Sequence, residues 1–196
     1  MQPGQVYSKD CDICLNITSS GGTLGSGSTA EDDQELNVKP EIEIFDTGMI
    51  YAAEHYVKTG VLKAPCHFQL ILGAAGGVKG TVEDMVALVS RLPKDCTWAA
   101  SGIGRSHVPI MMAAIAMGGH LRVGMEDNVF YQKGVPADSN AQFVARAKRL
   151  LEEAGLEAAT LAEAREILGL VKNLFSPSKM VDEPPRRSPV SAPPGR

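Results

Sequence analysis

The sequence predicts an α/β fold built around a parallel β-sheet. Short apolar runs alternate with amphipathic stretches, which is the pattern of repeated β–α units. Strand starts near residues 41, 68, 97 and 120 give a repeat of roughly 25 to 30 residues, long enough for a helical crossover between parallel strands. An open doubly wound sheet and a closed (β/α)8 barrel are both compatible with this repeat. Both architectures place functional sites at the carboxyl ends of their strands.

Five apolar runs are predicted to be strands because turn-forming or charged residues follow each of them. The predicted strands cover residues 12–18, 41–45, 68–72, 97–101 and 120–124. Glycine-rich segments follow several of these runs, and a charged segment follows the last. The residues that could carry chemistry are therefore expected at one edge of the sheet.

Five helices are predicted from amphipathic spacing and from end signals. They cover residues 49–59, 81–92, 109–117, 139–154 and 160–168. Thr81 is placed to cap the second helix, and Pro93 is placed to end it. Thr160, with Glu163 three residues later, forms the capping-box pattern at the start of the last helix.

The composition is that of one globular domain, and it excludes several classes of function. The chain has 196 residues, of which 44% are hydrophobic and 21% are charged, and its net charge is -4. This mildly acidic balance lacks the cationic surface of a nucleic-acid-binding protein. No apolar run reaches the roughly 18 residues needed to span a bilayer, and no apolar signal segment opens the chain. We therefore expect a cytoplasmic protein with no membrane partner.

Three regions are expected along the chain. Residues 1–11 form an N-terminal lead, and residues 12–175 form the folded domain. Residues 176–196 form a tail rich in proline and arginine, whose composition predicts disorder. Within the domain, residues 26–37 form a short polar linker that interrupts the β–α pattern.

Cys11 and Cys14 form a C-x2-C pair, a spacing typical of zinc or redox sites. No second C-x2-C pair and no H-x3-H pair follows in the sequence, so a closed zinc site lacks ligands. The favoured interpretation is two small residues beside a strand.

The segment around Arg122 is the strongest candidate for a chemical site. Arg122 lies on a predicted strand, and a buried arginine must be paired with a carboxylate. Glu126 and Asp127 follow this strand directly, at the edge where the site is expected. Two carboxylates and an arginine suit metal ligation together with general-base catalysis. The alternative is a structural ion pair that closes the last strand.

Glu41 and Glu43 form a second candidate cluster because they project from the same face of one predicted strand. Buried glutamates need cationic partners, and Arg122 is a candidate partner for one of them. The alternative is an edge strand with a solvated face.

Three glycine-rich segments, residues 19–22, 73–77 and 102–105, are candidate anion sites, and the first two can offer backbone N–H groups to an anion. The third brings Arg105 close to a helix start, which suits phosphate or coenzyme A. Each segment is equally well explained as a tight turn.

Several segments together resemble the family of β-keto acid cleavage enzymes. The most specific is the motif Gly-His-x-Arg-x-Gly-x-Glu-Asp-Asn at residues 119–128. The other segments are residues 40–49, 76–77, 98–105, 139–142 and 164–168. The resemblance is nearly continuous from about residue 38 to residue 170, and a shorter match covers residues 12–25.

The resemblance implies a zinc-dependent (β/α)8 barrel in which a β-keto acid and acetyl-CoA exchange acyl groups. The products are acetoacetate and a new CoA thioester, and the intact enzymes form homo-oligomers. By position, Glu126 matches the zinc-binding glutamate, and Asp127 matches the general base. Arg122 and Glu43 match the pair that supports this aspartate.

The resemblance also implies contacts to the substrate carboxylate. Ser19 and Gly22 match these contacts by position. The loop has one extra serine in this chain, so Thr18 can take the role of the serine.

The chain departs from the family pattern in two places. The family has two strands before residue 12, the second with a His-x-His pair that binds zinc, and this chain has neither. Residues 26–37 replace a further strand, at an apparent deletion. About five of eight strands remain, which predicts open sheet edges, weak stability and self-association. A single carboxylate is too few ligands for catalytic zinc. The isolated chain is therefore expected to be inactive, and the alternative function is a non-catalytic remnant or oligomer partner.

Overall fold

The computed structural model describes residues 16–17 and 39–170. These residues form a five-stranded parallel sheet and a separate antiparallel hairpin. The strands of the sheet are β1 (Asn16–Ile17), β2 (Glu41–Ile44), β3 (His67–Leu72), β4 (Thr97–Gly102) and β5 (His120–Leu121).

The strand order decides between the two architectures that the sequence leaves open. Each strand pairs in parallel with the next strand along the chain, in the order β1-β2-β3-β4-β5. A doubly wound sheet reverses its strand order at a switch point, whereas a barrel adds each new strand beside the last. The described residues therefore form a section of a (β/α)8 barrel, and the expected α/β fold with a partial barrel is confirmed.

Five α-helices connect or follow these strands in the described residues. They are α1 (Thr47–Lys58), α2 (Val82–Val89), α3 (His107–Ala116), α4 (Asn140–Glu153) and α5 (Leu161–Leu168). Thr81 caps α2, and Thr160 with Glu163 forms the complete capping box of α5, as predicted. Helix α3 begins two residues before the predicted start, because Pro109 is tolerated in the first turn of a helix.

The outer face of the sheet is apolar and is covered by helices. Ile44, Leu70, Ala100 and Leu121 lie side by side in register across four strands, and each is at most 2% exposed. They share one core cluster with the buried side chains of α1 to α4. Full burial of an aliphatic side chain contributes about 1.5–3 kcal/mol, so this row anchors the helices to the sheet.

The inner face of the sheet is polar although it is buried. Glu43 and Gln69 are paired in register, as are Glu41 and His67. All four side chains are 6% exposed or less. Strand β2 lies between β1 and β3, so the alternative that it is an edge strand with a solvated face is wrong. These polar residues therefore line the concave side of the barrel section.

Helix α5 covers the inner face near the amino-terminal ends of the strands. Ala164 and Leu168 of this helix form a small apolar cluster with Ala99 of β4. Lys39, which lies just before β2, donates from Nζ to the carbonyl of Leu168 at 2.6 Å. The opposite, carboxyl-terminal end carries the polar residues singled out by the sequence.

A short hairpin follows the sheet, and the sequence did not predict it. Its strands are β6 (Phe130–Gln132) and β7 (Val135–Pro136), and they pair antiparallel. The turn between them contains Gly134 with φ +77°, a conformation that favours glycine.

Several predicted features lie outside the described residues. They are the N-terminal lead (1–11), the linker (26–37), the tail (176–196), the Cys11–Cys14 pair, Thr18, Ser19 and Gly22. A helix that spans a bilayer needs a long apolar stretch, and none of the helices in the described residues has one.

Candidate active site

Arg122 lies at the centre of a group of carboxylates just beyond β5. Its backbone N–H donates to the carbonyl of Ala100 at 3.1 Å, so β4 fixes its position. Its Nη1 donates to Glu43 Oε1 at 2.7 Å, and both side chains are buried. Its Nη2 lies 3.5 Å from Glu126 Oε2, and its Nε lies 3.8 Å from Asp127 Oδ2. The structure therefore brings together four of the residues that the sequence singled out.

Two opposing effects act on the pKa of Arg122. Burial penalises the charged guanidinium and by itself would lower this pKa. The hydrogen bond to Glu43 and the nearby charges of Asp127, Glu43 and Glu41 outweigh burial, and the pKa of Arg122 is raised. Arg122 therefore stays a cation, and its pair with Glu43 is a buried ion pair whose geometry must offset a large desolvation cost.

Asp127 is held through one of its two carboxylate oxygens. Ser101 Oγ donates to Oδ2 at 2.9 Å, and Arg122 approaches the same oxygen. The Asp127 side chain is 13% exposed. Its Oδ1 makes no hydrogen bond within the part of the chain that the structure describes, so this oxygen is available to a reacting group. Sequence reasoning missed the role of Ser101; its position at the carboxyl end of β4 was the available signal.

Asn128 joins the loop after β5 to the loop after β4. Its Nδ2 donates to the carbonyl of Gly102 at 3.1 Å, and its Oδ1 accepts from the N–H of Gly104 at 2.6 Å. A Cβ on Gly102 would lie 2.5 Å from the carbonyl oxygen of Ser106. Only glycine at this position therefore allows the Ser106 backbone to pack so close to β4. These two hydrogen bonds therefore hold the loops after β4 and β5 against each other beside Asp127.

Glu126 is the exposed member of the cluster. Its side chain is 65% exposed, and its contact with Arg122 is a long ion pair of 3.5 Å. An exposed carboxylate can accept a metal ion from solvent. However, residues 16–17 and 39–170 contain no group of three or more histidine, cysteine, aspartate or glutamate side chains placed to hold a metal. The described residues by themselves do not fit a zinc centre.

His107, at the start of α3, lies in the electrostatic field of the site. Its pKa is lowered to about 4, mainly by burial and also by the positive charge of Arg146. The negative charge of Asp127 opposes this shift but does not cancel it. The ring packs edge-on against Phe143, with the centroids 5.0 Å apart. Its Nε2 is buried without a hydrogen-bond partner among the described residues. His107 is therefore a neutral imidazole near the site, which the sequence did not indicate.

The glycines of residues 73–77 serve mainly close packing. The N–H of Gly73 donates to Val78, and the N–H of Gly77 donates to Ala74, so both groups are occupied within the loop. A Cβ on Gly77 would lie 2.7 Å from the carbonyl oxygen of Phe45. These contacts support the interpretation of this segment as a tight turn.

Comparison with known families identifies the chain. Residues 26–170 match the family model of the beta-keto acid cleavage enzymes. The chain belongs to this family. The family expected from the residues of the sequence is thereby confirmed.

Several characterised members of the family are similar to this chain. It is 45% identical over 135 residues to the 3-keto-5-aminohexanoate cleavage enzyme of Acetoanaerobium sticklandii, covering 69% of this chain and 50% of that protein. It is 46% identical over 138 residues to the enzyme of the same name from Fusobacterium nucleatum subsp. nucleatum, covering 70% and 50%. It is 38% identical over 136 residues to the 3-oxoadipate:acetyl-CoA acetyltransferase of Cupriavidus necator, covering 68% and 48%. The chain thus spans about half the length of these relatives.

A solved structure supports the fold. The apo structure of ObcA superimposes with a TM-score of 0.62, at 16% sequence identity, and the match covers 73% of this chain and 39% of that one. At this identity the likeness concerns the fold alone, and it agrees with the strand order described above.

Proposed function

We propose that this chain carries the acid–base part of an active site for zinc-dependent cleavage of a β-keto acid. In this reaction the β-keto acid and acetyl-CoA exchange acyl groups, which gives acetoacetate and a new CoA thioester. The observation that carries the proposal is the buried Arg122–Glu43 pair, which lies against Asp127 at the carboxyl end of a parallel sheet. The names of relatives that act with acetyl-CoA support the choice of co-substrate.

Asp127 is the proposed general base. The carbon between the keto and carboxyl groups of the substrate gives a proton to Asp127, and the resulting carbanion attacks the thioester carbonyl carbon of acetyl-CoA, which expels the CoA thiolate. The thiolate then adds to the original keto carbon of the substrate. The bond from that carbon to the former carbanion carbon breaks, which releases the new CoA thioester, and acetoacetate takes the proton back from Asp127. Oδ2 is held by Ser101 at 2.9 Å, so Oδ1 is the oxygen free to accept the proton. A positioned general base contributes roughly 10²–10⁴-fold to the rate.

Arg122 and Glu43 are proposed to position Asp127. The guanidinium bonds Glu43 on one side and approaches Asp127 on the other, so the two carboxylates are kept apart by one cation. A buried ion pair adds little to stability compared with well-packed apolar residues. Its presence beside Asp127 is better explained by catalysis than by folding.

Zinc, which the family resemblance implies, is proposed to bind at Glu126. The described residues supply this single exposed ligand, and catalytic zinc sites use three protein ligands. The remaining ligands would have to come from outside the described residues. No step of the proposed mechanism is therefore assigned to the metal.

The alternative is a chain without catalysis that acts only as an oligomer partner of an intact relative. Because the isolated chain is expected to be inactive, the test supplies the missing zinc ligands with the amino-terminal segment of an intact relative that carries the His-x-His pair. It measures acetoacetate formation by this zinc-supplemented mixture with acetyl-CoA and a panel of β-keto acids. We expect Asp127→Asn to lower this rate by about 10²-fold or more. The control Asp95→Asn makes the same chemical change in an exposed residue at the other end of β4. No acetoacetate from the folded chain mixed with that segment would refute the proposal and favour the alternative.

A further inference from the structure

We propose that Arg146, Arg149 and Tyr131 form a binding site for the phosphate groups of coenzyme A. The identity of this ligand rests on the function proposed above. The site lies between helix α4, which carries both arginines, and the β6–β7 hairpin, which carries the tyrosine.

Tyr131 holds two guanidinium groups close together. Arg146 lies over the tyrosine ring with its Cζ 3.4 Å from the ring centroid, and its Nη2 donates to the Tyr131 carbonyl at 2.7 Å. Arg149 Nη2 donates to the Tyr131 hydroxyl at 3.0 Å. Tyr131 therefore contacts both guanidinium groups, one at its ring and backbone and the other at its hydroxyl. The two neighbouring guanidinium groups lower the pKa of the Tyr131 hydroxyl, Arg146 more than Arg149.

The charge of this cluster is not neutralised within the described residues. Neither arginine has an aspartate or glutamate oxygen within 4.0 Å among them, whereas Lys148, between the two in sequence, pairs with Glu152 at 3.7 Å. The Nη1 atom of Arg146 is also buried without a hydrogen-bond partner in the same residues. Two like charges held together are a feature that a bound anion would relieve, because guanidinium groups match phosphate geometry.

The distance from the cluster to Asp127 can be spanned by the pantetheine part of coenzyme A. Tyr131 follows Asp127 by four residues, so their Cα atoms are at most about 14 Å apart. Helix α4 is joined to the Asp127 loop where Asn140 Oδ1 accepts the N–H of Met125 at 2.7 Å. Coenzyme A places a long pantetheine arm between its thioester and its phosphates. A keto acid, by contrast, must put its carboxylate close to Asp127 itself.

The test is calorimetric titration of the full chain with coenzyme A, 3′-dephospho-coenzyme A, pantetheine and inorganic pyrophosphate. We expect Arg146→Gln and Arg149→Gln each to weaken coenzyme A binding by about tenfold or more, because each removes a charge-assisted hydrogen-bond donor. Lys148→Gln, on the same helix, should leave the affinity unchanged. Pantetheine, which lacks the phosphate groups that bridge to adenosine, should bind far more weakly than coenzyme A.

Arg149 is exposed, so Arg149→Gln tests the site even if Arg146→Gln lowers stability. Unchanged coenzyme A affinity in a folded Arg149→Gln chain would overturn the proposal. Equal affinity for pyrophosphate and coenzyme A would assign the site to a free inorganic anion and would also overturn it. Arginine-dependent binding without acetoacetate formation would keep this inference and refute the catalytic proposal. Acetoacetate formation together with coenzyme A binding that does not depend on the arginines would keep the catalytic proposal and refute this inference.

Discussion

Replacing Arg122 with methionine tests how strongly the buried ion pair is coupled to the fold. Methionine keeps much of the apolar volume, but Glu43, 5% exposed, loses the partner that lies 2.7 Å away. Removing one member of a buried pair costs roughly 3–5 kcal/mol, because the other charge stays behind in a poorly solvated position. Native domains are stable by roughly 5–15 kcal/mol, so Arg122→Met removes a large share of that free energy.

Urea unfolding followed by circular dichroism measures this change in the free energy of unfolding. The matched control is Lys148→Met, which removes an exposed pair with Glu152 and should change stability by no more than about 0.5 kcal/mol. The double variant Glu43→Leu with Arg122→Met leaves no buried charge and should recover much of the loss. A loss below about 1 kcal/mol in Arg122→Met would mean that Glu43 does not depend on Arg122 for its burial.

Three further predictions concern a hydroxyl, an imidazole and a metal ligand. Ser101→Ala removes the donor to Asp127 and should lower acetoacetate formation about tenfold, with Ser101→Thr restoring part of it, as a rate assay measures. The pKa of His107 is about 4 in the fold and 6.5 ordinarily, so the unfolded chain binds this proton more readily. The free energy of unfolding should therefore fall as pH drops from 6.5 toward 4, and less steeply in His107→Gln. Zinc titration against a competing chelator should show weak binding, because one carboxylate supplies too few ligands, and Glu126→Gln should weaken that binding further.

Each of these predictions has a result that contradicts it. Full acetoacetate formation by Ser101→Ala would mean that Asp127 is positioned without the hydroxyl. Equal pH slopes in the two chains between pH 4 and 6.5 would mean that His107 does not become protonated on unfolding. One zinc ion per chain retained through dialysis would mean that a ligand set exists around Glu126.

The sheet and the centre of the site could be predicted from the sequence. The buried runs at 41–45, 68–72 and 97–101 are short, continuous and ended by turn residues, which marks parallel strands strongly. The carboxylates near Arg122 could be predicted because charged residues at strand ends need partners. Strand β5 is shorter than the predicted 120–124, since the backbone leaves the ladder soon after Arg122 bonds to Ala100.

The contacts between loops could not be predicted in the same way. Asn128 acts through the carbonyl of Gly102 and the N–H of Gly104, backbone groups that exist at every position and leave no trace in the sequence. The hairpin of β6 and β7 is short and largely exposed, so it has no apolar alternation. Its turn uses Lys133 and Gly134 instead of the asparagine–glycine or aspartate–glycine pairs that signal hairpins.

In the proposed reaction, Asp127 abstracts a proton so that the acetyl group of acetyl-CoA joins the β-keto acid. The most direct measurement supplies acetyl-CoA labelled with ¹³C in both acetyl carbons and follows acetoacetate by NMR. We predict label at the keto and methyl carbons of acetoacetate, and its loss in Asp127→Asn while Asp95→Asn retains it. Unlabelled acetoacetate, or equal labelling in both variants, would contradict proton abstraction by Asp127.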